Sequence, residues 1–135
     1  MNARTAGNTG NAAKSILVVD DEPAILDSIV EVLRDEGYAV ESARDGRSAL
    51  LVFEQSAPSL VLMDVMMPGM DGRAAYLAMR SHPLGQDIPV VLMSAAADPS
   101  RLDPGVAAFL PKPFDLDQLL DLVTQLLGGG PSAAE

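Results

Sequence analysis

Short apolar runs, each closed by a polar residue, alternate along this chain with stretches in which apolar residues return every three or four positions. No other feature restricts the fold as much. Ile16-Leu17-Val18-Val19 ends at Asp20, Leu60-Val61-Leu62-Met63 at Asp64, and Val90-Val91-Leu92-Met93 at Ser94. Continuous apolar runs of this length describe strands covered on both faces, as parallel sheets require. Tyr38–Ala43 alternates as a strand should, and Ala107–Leu110 supplies a fifth. In the first interval Pro23 suits an opening helical turn, Ile25, Ile29, Val32 and Leu33 share one face, and Gly37 is a natural stop. Asp45-Gly46 opens a second helix with Ala49, Leu50 and Phe53 inward. Asp71-Gly72 opens a third that runs through Arg80. Asp115–Leu127 forms the last, with Leu116, Leu119, Leu120, Val123 and Leu127 inward. The alternation predicts an α/β domain with a five-stranded parallel sheet and helices on both faces.

The 135 residues suit one such domain with a single core, and 48% hydrophobic residues are enough to fill it. Residues 1–14 and 128–135 read as a flexible lead and tail around a domain spanning 15–127. A net charge of −10 argues against nucleic acid or an anionic membrane as partner, because both need a basic face. No stretch approaches a membrane span and none resembles a signal peptide, so the expected location is cytoplasmic. With no cysteine, disulfides and thiolate metal sites are excluded.

In open parallel sheets, ligands sit beyond the carboxyl ends of the strands. Asp20, Asp21, Asp64, Ser94 and Lys112 all fall at such ends, and they come from four separate segments. That convergence marks a site. Carboxylates crowded together repel, which raises the pKa of at least one or calls for a cation. Mg²⁺ fits best, since it takes oxygen ligands and keeps room for phosphate oxygens. Asp64 is then placed to act as a nucleophile towards phosphorus, with Lys112 and Ser94 serving the phosphoryl oxygens. Each residue also has a plainer use alone: Asp20 or Asp21 as a helix cap, Asp64 in a turn, Lys112 on the surface, Ser94 on a strand-end backbone group. His82, before Pro83 in a loop, has no role in this chemistry. The methionines at 66, 67 and 70 read as packing residues.

Val-Val-Asp-Asp-Glu, then Leu-Met-Asp-Val-Met-Met-Pro-Gly-Met-Asp-Gly, then a strand ending in Ser, then Phe-Leu-Pro-Lys-Pro-Phe together resemble the receiver domain of two-component response regulators. The likeness covers roughly residues 15–127. It implies a flavodoxin-like doubly wound sheet in the order 2-1-3-4-5. It also implies Asp64 as phospho-acceptor, Asp20 and Asp21 as the Mg²⁺ pair, and the carbonyl of Met66 as a further ligand. Ser94, at the family's usual 30-residue distance from the acceptor, becomes the switch hydroxyl. Lys112 becomes the phosphate-binding lysine, before a Pro113 that the family typically holds cis, and Phe109 the aromatic switch. The implied partner is a sensor histidine kinase or a histidine phosphotransfer protein, and the implied output is a changed protein–protein contact, in a monomer or dimer. Such a domain is not a conventional enzyme.

One departure stands out. Lys112 follows Ser94 by only 18 positions, roughly one helical turn short of the usual receiver pattern, and the segment from Ala95 to Gly105 holds two prolines. The family's fourth helix is therefore expected to be short or irregular. Two other functions compete: a scaffold that binds without phosphorylation, and an aspartate-nucleophile phosphatase. The latter usually carries a second Asp two residues after the nucleophile, where this chain has Met66.

Overall fold

The computed structural model describes residues 14–95 and 105–128. Five parallel strands form one sheet: β1 (Ser15–Val19), β2 (Ala39–Ala43), β3 (Leu60–Asp64), β4 (Val90–Ser94) and β5 (Ala108–Pro111). Their order is β2-β1-β3-β4-β5, the doubly wound flavodoxin-like arrangement. The helices among the described residues are α1 (Pro23–Asp35), α2 (Gly46–Ser56), α3 (Gly72–Ser81) and α4 (Leu116–Leu126), with a 3₁₀ turn at Pro83–Gly85. The segment in which a shortened fourth helix was expected, 96–104, lies outside the described residues, as do most of the lead and tail.

Successive strand residues point to opposite faces, so each run serves two cores. Ile16, Val18, Leu60, Leu62, Val91 and Met93 pack with Leu26, Ile29 and Leu33 of α1 and Leu119 and Val123 of α4. Leu17, Val19, Val61, Met63, Val90 and Leu92 pack with Ala49 and Phe53 of α2 and Ala75, Tyr76 and Met79 of α3. Their full burial explains why β1, β3 and β4 read as unbroken apolar runs.

The helix ends follow local chemistry. Pro23 opens α1 after an extended Glu22. At its far end the Gly37 N–H donates to Arg34 O and the Tyr38 N–H to Leu33 O, with Gly37 at φ 99°. This pair of hydrogen bonds is the Schellman arrangement, and Tyr38 and Leu33 meet in the core beside it. Asp45 and Asp71 each accept a backbone N–H, from Ser48 at 2.8 Å and Ala74 at 2.9 Å, and so start α2 and α3. Neither Asp20 nor Asp21 caps α1. Glu22 holds the capping position, without a side-chain cap bond, and Asp20 Oδ1 accepts the Glu22 N–H at 3.0 Å.

Candidate functional site

The carboxyl ends of β1, β3, β4 and β5 open onto one rim. Asp20, buried just past β1, is held by its backbone N–H, which donates to Ala43 O at 3.2 Å. Asp64 closes β3 and is also buried. The neighbouring Val65 N–H donates to Met93 O at 2.9 Å, and the Gly72 N–H returns to Val65 O at 2.9 Å. The loop after Asp64 is thereby fastened to β4 and to the start of α3. Gly72 is needed there: a Cβ would run into the Asp64 carbonyl and the Val65 Cα.

Lys112 completes the rim. Its Nζ donates to Asp20 Oδ2 at 2.8 Å and lies 3.5 Å from both Glu22 Oε1 and Asp64 Oδ1. Asp20 thus has one oxygen on a backbone amide and the other on the ammonium. The Lys112–Pro113 peptide is cis, and the Lys112 N–H donates to Ser94 O at 3.1 Å. Ser94 is buried at the end of β4, level with Pro111 of β5. Phe109 is half-buried, level with Leu92 and packed against the core beneath α2 and α3.

Burial first, and then the negative charge of Asp20, push the Asp64 carboxyl up from its ordinary value to about 6. The Lys112 ammonium and the Met66 amide work against that rise, while Asp21 adds to it. Burial disfavours the Lys112 ammonium. Its hydrogen bond to Asp20 and the charges of Asp20, Asp64 and Glu22 outweigh burial, so its pKa is raised.

Asp20, Asp21 and Asp64 each present a carboxylate oxygen, and these oxygens lie within 4.8 Å of one another. Two ligands on a single Mg²⁺ stand about 3–4 Å apart, so a small contraction brings these hard oxygen donors onto one ion. The donor set suits Mg²⁺ and offers nothing to a soft metal. Met66, whose N–H donates to Asp64 Oδ1 at 3.4 Å, joins Asp21, Glu22, Asp64, Ala95 and Lys112 around a hollow of about 340 Å³. A larger, mostly apolar hollow of about 590 Å³ adjoins it, lined by Ile25, Ile29, Pro113, Phe114 and Leu116 and sharing Glu22 and Lys112.

Met67 is buried and Met70 packs on the core, as their composition implied, but Met66 does not pack. Its side chain is 62% exposed, because the turn after β3 swings it out of the sheet. His82 serves the fold: its Nδ1 accepts the Leu84 N–H at 3.1 Å, and its ring meets Phe53 edge-on at 6.0 Å. Two contacts escaped the sequence. Glu22 was visible as a third acid but carried no sign of its contact with a lysine 90 residues away. Arg80 donates to the carbonyls of Gly85, Gln86 and Gly105 at 2.8, 3.0 and 2.6 Å, and stands over the Tyr76 ring.

The family model for the response regulator receiver domain matches residues 16–124. Response regulator MprA of Mycolicibacterium vanbaalenii is 41% identical over 130 residues, covering 88% of this chain and 55% of that protein. MprA of Mycobacterium avium is 40% identical over 116 residues, covering 83% and 50%. The chain therefore spans about half the length of the curated relatives it matches. Among solved structures, the chemotaxis response regulator CheY4 of Vibrio cholerae superposes with a TM-score of 0.79 at 29% identity, covering 84% of this chain and 98% of that one. The receiver domain of sensor histidine kinase PA1611 from Pseudomonas aeruginosa, with magnesium coordinated in its active-site cleft, gives 0.79 at 30% identity, covering 87% and 99%.

Proposed function

Because the chain belongs to the response regulator receiver family, we propose that it accepts a phosphoryl group on Asp64 and thereby changes a protein–protein contact. The donor is a phosphohistidine on a sensor kinase or a histidine phosphotransfer protein. The donor's P–N bond breaks as a carboxylate oxygen of Asp64 bonds phosphorus, and the imidazole nitrogen keeps the electron pair. The observation that carries this reading is Asp64 itself, buried at the end of β3, with one carboxylate oxygen 3.5 Å from the Lys112 ammonium and oxygens of Asp20 and Asp21 gathered within 4.8 Å. It is a nucleophile without a thick water shell to shed.

Asp20, Asp21 and Asp64, with the backbone carbonyl of Met66, would hold Mg²⁺. The ion supplies positive charge against the carboxylates and the phosphoryl oxygens. Lys112 gives a second positive point, held ready by Asp20 at 2.8 Å. Ser94, at the end of the neighbouring strand, donates its hydroxyl to a phosphoryl oxygen and in moving leaves room for the Phe109 ring. The ring's rotation alters the surface beside β4 and β5, which is how the modification is read by a partner. No helix among the described residues is long and apolar enough to cross a membrane.

The test is incubation with acetyl phosphate and Mg²⁺ followed by intact mass. A gain of one phosphoryl group in the wild type, absent in Asp64→Ala, is the expected result. No gain in the wild type favours a scaffold that works unmodified, and sustained release of phosphate from a generic ester favours the phosphatase.

A further inference from the structure

Glu22 has a charge that the fold does not use. Its backbone is fixed on both sides: the N–H donates to Asp20 Oδ1 at 3.0 Å, and the carbonyl accepts the Leu26 N–H at 3.0 Å. The side chain makes no capping bond to α1 and is 61% exposed. Its polar contact is with the Lys112 ammonium at 3.5 Å. Lys112 does not need that contact to stay in place, because the fully buried Asp20 grips it at 2.8 Å. The Glu22 carboxylate is also outside the trio of oxygens that can gather on a cation. What it contributes is a negative charge on the wall of the hollow that holds Asp64.

We propose that Glu22 is a charge gate on that hollow: its carboxylate offsets the Lys112 ammonium and slows phosphoryl transfer to Asp64 from free anionic donors. The inference rests on the phospho-acceptor reading above. An incoming acyl phosphate carries its negative charge towards Lys112, and with Glu22 in place that ammonium is already balanced by three carboxylates. Such a chain discriminates against small phosphodonors in solution while keeping the groups that act on the bound phosphoryl. In the reaction used to test it, the acyl C–O–P bridge of acetyl phosphate breaks at phosphorus, an Asp64 oxygen bonds the phosphorus, and acetate leaves with the electron pair.

The measurement is the second-order rate of Asp64 labelling by acetyl phosphate, read by intact mass at saturating Mg²⁺, for wild type, Glu22→Gln and Glu22→Asp. Removing one exposed charge at this range should speed Glu22→Gln by about three- to tenfold at low ionic strength. Glu22→Asp, which keeps the charge, should stay closer to wild type than to Glu22→Gln. Because the charge is exposed, the advantage of Glu22→Gln should largely vanish in about 1 M salt, where screening acts over roughly 3 Å. A Glu22→Gln rate no higher than wild type, or an advantage that salt leaves unchanged, overturns the gate while the acceptor reading stands. A wild type that takes no phosphoryl group overturns the acceptor reading itself, and the gate with it.

Discussion

Gly72 lies so close to Asp64 that a Cβ on the glycine would fall inside the contact radius of the aspartate's carbonyl oxygen. The first residue of α3 and the last of β3 are therefore in backbone contact, and the position of Asp64 depends on a missing side chain. Gly72→Ala must push α3 away from the sheet. The expected loss of stability is about 1–3 kcal/mol, the usual range for overpacking. Urea unfolding measures it, and acetyl phosphate labelling should slow in parallel.

Asp64 makes stability and reactivity run oppositely with pH. Its folded pKa of about 6 lies above the ordinary 3.8, so the folded chain binds this proton more tightly than the unfolded chain does. Ionisation of Asp64 therefore weakens the fold, fully above the folded pKa and not at all well below 3.8. Without Mg²⁺, Asp64→Asn should gain about 1–3 kcal/mol at neutral pH and almost nothing at pH ~3 in urea titrations. Labelling of the wild type should fall in acid, because the protonated carboxyl is no nucleophile, and with Mg²⁺ favouring the carboxylate the fall should begin below the metal-free value of about 6.

Magnesium should relieve the crowding of the three carboxylates and so stabilise the fold. With the ion about a hundredfold above its Kd, linkage gives about 2–3 kcal/mol, visible as a higher Tm that EDTA reverses. Asp21→Asn removes a ligand without touching Lys112, and should shrink that rise while itself raising the metal-free Tm slightly, because one of the crowded charges is gone.

The hydroxyl of Tyr38 is buried with no hydrogen-bond partner among the described residues. An unpaired buried hydroxyl is a net cost, so Tyr38→Phe should stabilise the protein by about 1 kcal/mol in chemical denaturation. A loss of stability would mean that the hydroxyl has a partner in solution.

Much of this molecule was legible because a two-layered core imprints itself on the sequence. Strands sealed on both faces must be apolar throughout, so β1, β3 and β4 could be read directly, and their polar ends marked the rim. Edges were less exact. The fifth run was expected at Ala107–Leu110, and β5 occupies Ala108–Pro111. Pro111 can sit there because β5 is an edge strand, with no strand beyond it among the described residues. What periodicity could not supply is direction within loops. The exposure of Met66, the reach of Glu22 to Lys112 and the grip of Arg80 on three carbonyls depend on backbone turns and long side chains, which leave no repeat in the sequence.

The paired bonds of Asp20 bear on synthesis as well. One of its oxygens serves a residue two positions on, but the other waits for a lysine 92 positions later. When β1 through β4 have been synthesised, the chain still lacks the cation that pairs with its most deeply buried acid. The rim is finished only when the final strand emerges, so a truncated translation product ending before Lys112 would expose the acids without the means to use them.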